Sequence, residues 1–306
     1  MASVYADILR YLNHEIIIGI GKKGSQTHKY FGKKYNCFTT DDITYITKIQ
    51  NDLSGVIVTT PPDQSLEWVL NHPGQNFLIE KPAQLTSKNL KKLCDFNGNI
   101  FVAYNRKFYQ TFLDLKDFVS NQKKKCLIKV NIPEKKLPII LLNKKSVNYN
   151  LIANSCHIFS ILRPVLGDLK LNSTFSGINT FNYDIGEFHT ISSFGHFLKI
   201  SIHLDEFSNT SIYVKGDSNS FELKPIEKSF LINGMAVNFS ENLNHRSYEP
   251  IRNLISNETL SNQFKPGILK QILAFLDFCK GSSVHSSLTD LKEAIRILEE
   301  IEALYL

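Results

Sequence analysis

Residues 56–108 read VIVTTPPDQSLEWVLNHPGQNFLIEKPAQLTSKNLKKLCDFNGNIFVAYNRKF. Three short apolar runs stand out in this stretch: Val56-Ile57-Val58, Phe77-Leu78-Ile79 and Ile100-Phe101-Val102. Runs of this length with no polar interruption are what a strand buried on both faces requires. The segments between them, around Ser65 to Leu70 and Ser87 to Phe96, have helical character. Strand alternating with helix at this spacing is the mark of a doubly wound parallel sheet. Each run is followed by a polar motif: Thr59-Thr60-Pro61-Pro62, Glu80-Lys81-Pro82 and Tyr104-Asn105-Arg106-Lys107-Phe108. Parallel sheets bind ligands just outside the carboxyl ends of their strands, so all three motifs are expected on one functional edge.

Upstream, Val4, Ile8 and Leu12 lie one turn apart, which predicts an amphipathic helix from Ser3 to Leu12 with no strand ahead of it. Glu15 to Gly21 reads as a buried β-branched strand, followed by a polar helical stretch from Ser25 to Lys34. The run Gly19-Ile20-Gly21-Lys22-Lys23-Gly24 satisfies the G-x-G-x-x-G pattern of a pyrophosphate loop. That pattern also wants a strand ending in an acidic residue about 20 residues on. Asp41 and Asp42 have the distance, but only Asn36-Cys37-Phe38 leads into them, which does not read as a buried strand. The other reading makes Glu15 to Gly21 the second strand of a dinucleotide-binding unit whose first strand and glycine loop are absent.

Downstream of Lys125 the pattern changes. Leu198, Ile200, Ile202 and Leu204 alternate with Lys199, Ser201 and His203, and Ile212 and Val214 alternate with Ser211, Tyr213 and Lys215. This is the signature of a mainly antiparallel sheet with one covered face. A helix from about Asn154 places Ile158, Ile161, Leu162 and Val165 on one stripe. Pro266 suits a first helical turn ahead of Leu269, Ile272, Leu273 and Leu276, and Ser287-Leu288-Thr289-Asp290 reads as a capping box before Leu291, Ile295 and Leu298. The expected architecture is therefore α/β: a truncated Rossmann-type parallel sheet in residues 1–122, and an α+β domain in residues 123–306 whose open sheet is mainly antiparallel. The last helices are free to pack back on the first domain.

The chain has 306 residues, 42% of them hydrophobic, enough for two moderate cores. Its net charge of +6 comes from scattered lysine pairs, as on solvated faces, and no nucleic-acid-binding signature accompanies them. An anionic small molecule such as a nucleotide fits the charge as well. The five cysteines, Cys37, Cys94, Cys126, Cys156 and Cys279, are widely spaced and form no C-x-x-C pair. They read as reduced thiols in a cytoplasmic protein. No apolar run approaches the roughly 20 residues that cross a bilayer, and the histidines make no metal-ligand spacing. Neither a membrane span nor a metal is expected.

The three motifs in register, with Tyr30-Phe31-Gly32-Lys33-Lys34-Tyr35-Asn36 behind the second strand, resemble the Gfo/Idh/MocA family of NAD(P)-dependent sugar oxidoreductases. The likeness is specific from Gly55 to Phe108 and holds in outline elsewhere. It implies that Thr59, Thr60, Pro61 and Pro62 pass under the nicotinamide half of an NAD or NADP cofactor. Glu80, Lys81, Asn105 and Arg106 would complete that site, with Tyr104 packing behind. Lys81 would be the acid or base: its ammonium hydrogen-bonds a substrate hydroxyl and stabilises the alkoxide formed as hydride leaves. The alternative for Glu80 and Lys81 is a surface ion pair of little worth.

Gly21, Lys22 and Lys23 fall where the family recognises the adenosine ribose, and two lysines without a carboxylate lean toward a 2'-phosphate, hence NADP. His157 matches a histidine that assists proton transfer in the family. The aspartate usual one turn earlier is replaced by Ala153; Asn154 can donate a hydrogen bond but cannot act as a base. Phe264-Lys265-Pro266-Gly267 is similar to a segment of members acting on sugar nucleotides in surface-polysaccharide pathways, which would bring Lys265 to the substrate. The resemblance further implies a homo-oligomer formed through the carboxyl-terminal sheet. A different function remains open: a degenerate member without tight cofactor binding that serves as a sugar-ligand binding or partner subunit.

Overall fold

The computed structural model describes residues 1–21, 26–42, 44–134, 155–170, 185–204, 206–240, 245–259 and 263–305. Their contacts divide the chain into two compact units: residues 1–108 with 263–299, and residues 109–262 with 300–306.

The first unit opens with α1 (Ala2–Tyr11), whose Tyr5, Ala6 and Ile8 are buried. It is followed by β1 (Ile18–Ile20), α2 (Gln26–Tyr35) and β2 (Phe38–Thr40). The predicted strand from Glu15 is thus shortened to three residues. A strand does lead into Asp41: β2 pairs parallel to β1, Ile18 opposite Phe38 and Ile20 opposite Thr40. It escaped sequence reading because it is a half-exposed edge strand, with Phe38 outward and only Thr39 and Thr40 partly covered. After α3 (Tyr45–Ile49) come β3 (Val56–Val58), α4 (Pro62–Leu70), β4 (Asn76–Glu80), α5 (Ser87–Leu90) and β5 (Asn99–Ala103).

Strands β3, β4 and β5 are parallel neighbours, and the three apolar runs read from the sequence are their cores. Phe77, Leu78 and Ile79 are almost wholly buried, as a strand covered on both faces must be. The unit is closed by α8 (Ile268–Cys279), β14 (Thr289–Asp290) and most of α9 (Leu291–Tyr305), with β14 antiparallel to β5 at the end of the four-stranded order β14-β5-β4-β3. Tyr5, Ile8, Leu78, Phe101, Ile272 and Phe275 share one core, so α1 and α8 cover the same face of this sheet. Two helix starts differ from expectation. Gly267, with φ of 75°, caps α8 and leaves Pro266 outside it. The side chain that caps α9 is Asp290, which accepts from the Glu293 N–H at 2.7 Å; a carboxylate at that position outcompetes the more distant Ser287.

The second unit contains α6 (Gln110–Ser120), β6 (Leu127–Glu134), α7 (Ser155–Leu166), β7 (Leu169–Lys170) and the strands β8 (Ile185–Ser192), β9 (Phe197–Leu204), β10 (Ser211–Lys215), β11 (Ser220–Leu223), β12 (Lys228–Ser240) and β13 (His245–Asn257). They form an eight-stranded sheet in the order β13-β12-β11-β10-β6-β9-β8-β7, antiparallel except for β6 beside β9. The predicted alternation holds: Leu198, Ile200, Ile202, Ile212 and Val214 are buried. Ile158, Ile161, Leu162 and Val165 of α7 are buried too. No described helix is long and apolar enough to cross a membrane.

Candidate functional site

Strand register decides what meets at the carboxyl edge of the first unit. Val58 is level with Ile79, and Ile79 with Val102. Thr59-Thr60, Glu80-Lys81 and Ala103-Tyr104 therefore leave the sheet side by side, with neighbouring strands about 4.8 Å apart. Behind them the loops are tied together. The Ser65 hydroxyl donates to the Ala83 carbonyl at 2.8 Å and accepts from the Gln84 amide at 3.0 Å, and that amide also reaches the Pro62 carbonyl. The turn at Pro61-Pro62 and the segment after Lys81 are thus one hydrogen-bonded assembly. Pro61 precedes the helix with ψ of 153°, and Pro62 opens α4, where a missing N–H costs nothing.

Glu80 accepts a hydrogen bond from the phenol of Tyr5, a buried residue of α1. Burial, reinforced by the neighbouring Glu80 charge, holds the Tyr5 hydroxyl far above its usual range, so it stays protonated and keeps donating. Lys81 is half-buried beside this anchored carboxylate, and the Lys81–Pro82 peptide is cis. The loop after β5 is held just as firmly. Asn105 donates to the Pro266 carbonyl at 2.9 Å. The Gln271 side-chain oxygen accepts from the N–H groups of Tyr104 at 3.1 Å and Asn105 at 3.3 Å. Lys107, 2% exposed, donates to Thr289 at 3.0 Å and to both oxygens of Glu293 at 2.9 Å. Sequence reading passed over Gln271, Glu293 and Lys107; the only signal was a lysine directly after Arg106, with no way to see that it turns inward.

Two polar atoms at this edge, Thr60 Oγ1 and Arg106 Nη1, are buried without a hydrogen-bond partner among the described residues. A group left so costs about 1–3 kcal/mol, which marks the edge as a place where a polar ligand would complete the bonding. Thr59, Thr60 and Gly21 also line a cavity of about 570 Å³, with His28 and Trp68 beside them. The volume lies in the range of small-molecule sites.

Gly19 and Gly21 of the G-x-G-x-x-G run have a packing explanation. A β-carbon on Gly19 would stand 2.8 Å from the Phe31 ring, and one on Gly21 would stand 3.2 Å from His28, so both let α2 lie against β1. Among the described residues β1, which carries Gly19, pairs with β2 and not with β3. Lys22 and Lys23 lie outside the described residues. Lys265 is exposed, in the segment whose Pro266 is bonded to Asn105.

In the second unit His157 is 4% exposed in the first turn of α7. The start of that helix is capped by Glu134, a buried carboxylate at the end of β6 that accepts from the Ser155 N–H at 2.8 Å and hydroxyl at 2.9 Å. A carboxylate favours a helix amino terminus by its charge as well as its bonds. The position of Glu134 in an alternating strand gave no sign of this role. Asn154 and Ala153 lie outside the described residues, and among the described residues no group of three or more potential metal ligands is assembled.

No protein-family model matches the chain, and no curated protein sequence is significantly similar to it. Its fold does recur in solved structures, among them three at low identity. Levoglucosan dehydrogenase, solved with NADH and levoglucosan, is 14% identical with a TM-score of 0.71, over 99% of this chain and 93% of that one. UDP-N-acetylglucosamine 3-dehydrogenase from Acidithiobacillus ferrooxidans is 9% identical with a TM-score of 0.68, over 98% and 92%. A super-repressor mutant of Gal80p from Saccharomyces cerevisiae is 12% identical with a TM-score of 0.73, over 99% and 91%. The chain has the fold of Gfo/Idh/MocA-type oxidoreductases.

Proposed function

We propose that the protein is an oxidoreductase of the Gfo/Idh/MocA type acting on a sugar or sugar nucleotide. The observation that carries this reading is the alignment of Thr59-Thr60, Glu80-Lys81 and Asn105-Arg106 along one sheet edge, where Thr60 and Arg106 hold buried polar atoms in need of a partner. A carboxamide, with one acceptor and one donor end, suits a guanidinium N–H and a hydroxyl, so the residues fit the nicotinamide half of NAD or NADP. Such a cofactor, when bound, supplies the hydride acceptor or donor. Thr59, Thr60, Pro61, Pro62, Asn105 and Arg106 would hold it, with Gly21, Lys22 and Lys23 toward its ribose. Lys81 would meet the substrate hydroxyl and carry its proton, with Tyr5 and Glu80 fixing the backbone from which it projects.

His157 as helper, and Asn154 and Lys265 as substrate contacts, rest on the family resemblance. So does the assignment to polysaccharide biosynthesis. That two of the compared structures act on levoglucosan and on UDP-N-acetylglucosamine supports a sugar substrate for this fold. The carboxyl-terminal sheet would make the subunit contact, and its exposed Met235, Val237, Phe239 and Tyr248 favour that role.

The test is turnover of a panel of sugars and sugar nucleotides with NAD and NADP. Lys81→Ala should lower kcat by about 10²–10⁴-fold, the usual worth of a positioned acid or base, while KM changes little. A Lys81→Ala protein as active as the parent would sink the assignment. The second reading, a binding or partner subunit, is favoured by one observation: among the described residues β1 and β3 belong to separate sheets. Sugar binding without turnover by any cofactor would select it.

A further inference from the structure

The chain leaves β5 in a short 3-10 turn, Asn105–Phe108. With three residues to the turn, successive side chains point about 120° apart and cannot all face one way. Asn105, Lys107 and Phe108 are buried, and each is held by a residue between 266 and 293. Asn105 donates to the Pro266 carbonyl at 2.9 Å, Lys107 reaches Thr289 and Glu293, and Phe108 stacks on His285 with ring centroids 5.4 Å apart. Arg106 is the residue of the turn that is only half-buried, and its Nη1 has no hydrogen-bond partner among the described residues. The anchors fall on the neighbours of Arg106 and leave its guanidinium available.

Of these anchors the lysine is the one that stability explains least. A buried ion pair is seldom worth more than two apolar side chains of the same size. What an apolar pair lacks is direction. An ammonium has three donors, and the Thr289 hydroxyl at 3.0 Å and the two Glu293 oxygens at 2.9 Å offer three acceptors. Thr289 lies opposite Val102 of β5, so the lysine is tied back to the strand from which its own turn emerges. The Lys107 N–H donates to the Tyr104 carbonyl at 3.1 Å, which closes the turn from inside. Both ends of Lys107 are therefore fixed, and with them the backbone that carries Arg106. We propose that Lys107 is a positioning residue, which through Glu293 and Thr289 orients the Arg106 guanidinium at the carboxyl edge before any ligand arrives. That Arg106 then meets a nicotinamide carboxamide rests on the oxidoreductase reading; that Lys107 orients Arg106 does not. Preorganisation of this kind spares the ligand the cost of ordering the arginine.

The experiment compares the full chain with Lys107→Met and with Lys107→Met/Glu293→Met, the second chosen because an apolar pair restores packing without direction. Its first readout needs no cofactor. With arginine labelled by nitrogen-15, the Arg106 side chain is assigned by the signals that Arg106→Ala loses. In the parent a held guanidinium should give separate Nη signals; in both Lys107 variants they should merge as the group begins to rotate. The second readout is NADH affinity by nicotinamide fluorescence. The Met/Met protein should bind about tenfold more weakly than the parent, yet in an Arg106→Ala background the same pair of changes should weaken binding no further, because residues that act through one another are not additive. Merged signals in the parent, or separate signals kept in the Met/Met protein, would overturn the proposal. So would full additivity with Arg106→Ala, since Lys107 would then act on the fold and not through the arginine. If the parent binds neither NADH nor NADPH, the oxidoreductase reading fails, and the nitrogen-15 signals alone decide whether Lys107 orients Arg106.

Discussion

At Gly19 a single missing methyl group decides how two elements meet. The β-carbon of any other residue would lie 2.8 Å from the Phe31 ring, which α2 presses against β1. Gly19→Val should therefore destabilise the protein by about 1–3 kcal/mol, the usual cost of overpacking, measured by urea denaturation. A second change, Phe31→Ala, should return part of that loss when combined with it, and strictly additive effects would contradict the contact. This residue also shows what sequence can and cannot tell. The glycine spacing alone fits a phosphate loop and a packing face equally; which one holds depends on the strand beside β1, a fact of topology and not of local pattern. The placement of Thr59, Lys81 and Arg106 just past the strand ends was legible because they follow buried runs whose strand character is unambiguous. Tyr5, Gln271 and Glu134 were not, since their roles arise from partners 75, 166 or 21 positions away along the chain.

Among the elements, the loop after β5 is held by a buried charge. Lys107 reaches Thr289 and Glu293, which fastens Asn105 and Arg106 to the start of α9. Lys107→Met keeps the apolar stem but leaves the Glu293 carboxylate without its cation. Removing one partner of a buried pair costs about 3–5 kcal/mol; with Glu293 25% exposed, the lower end is expected. Thermal unfolding measures the loss, and a companion Lys107→Met/Glu293→Met protein should recover most of it. A variant as stable as the parent would show that the loop is held by Asn105 and Gln271 alone. Element boundaries were the least legible feature. The strand after Glu15 came out short, paired on one edge among the described residues, and β2 was missed because an edge strand with one exposed face needs no continuous apolar run.

For the whole molecule, two kinds of sheet were visible in the sequence as two kinds of periodicity: uninterrupted apolar runs before Phe108 and strict alternation after Lys125. The far ends of β12 and β13 break that alternation, and there Met235, Val237, Phe239 and Tyr248, which the register places on one face, are all more than half exposed. An apolar patch of this kind is the sort of surface that a partner molecule covers. If that molecule is a second copy of the chain, Phe239→Lys should weaken self-association by about 2 kcal/mol, roughly thirtyfold in Kd, read by light scattering across a dilution series. An unchanged mass at every concentration would remove the sheet from the interface.

The central claim is that the edge formed by β3, β4 and β5 holds a nicotinamide cofactor. Titration of the purified chain with NADH and NADPH, followed by nicotinamide fluorescence, tests it most directly. Saturable binding in the micromolar range, weakened at least tenfold by Arg106→Ala, is the predicted result, and a preference for NADPH would give Lys22 and Lys23 their part. The absence of binding at millimolar concentration, where the interaction is worth only about 4 kcal/mol, would contradict the account.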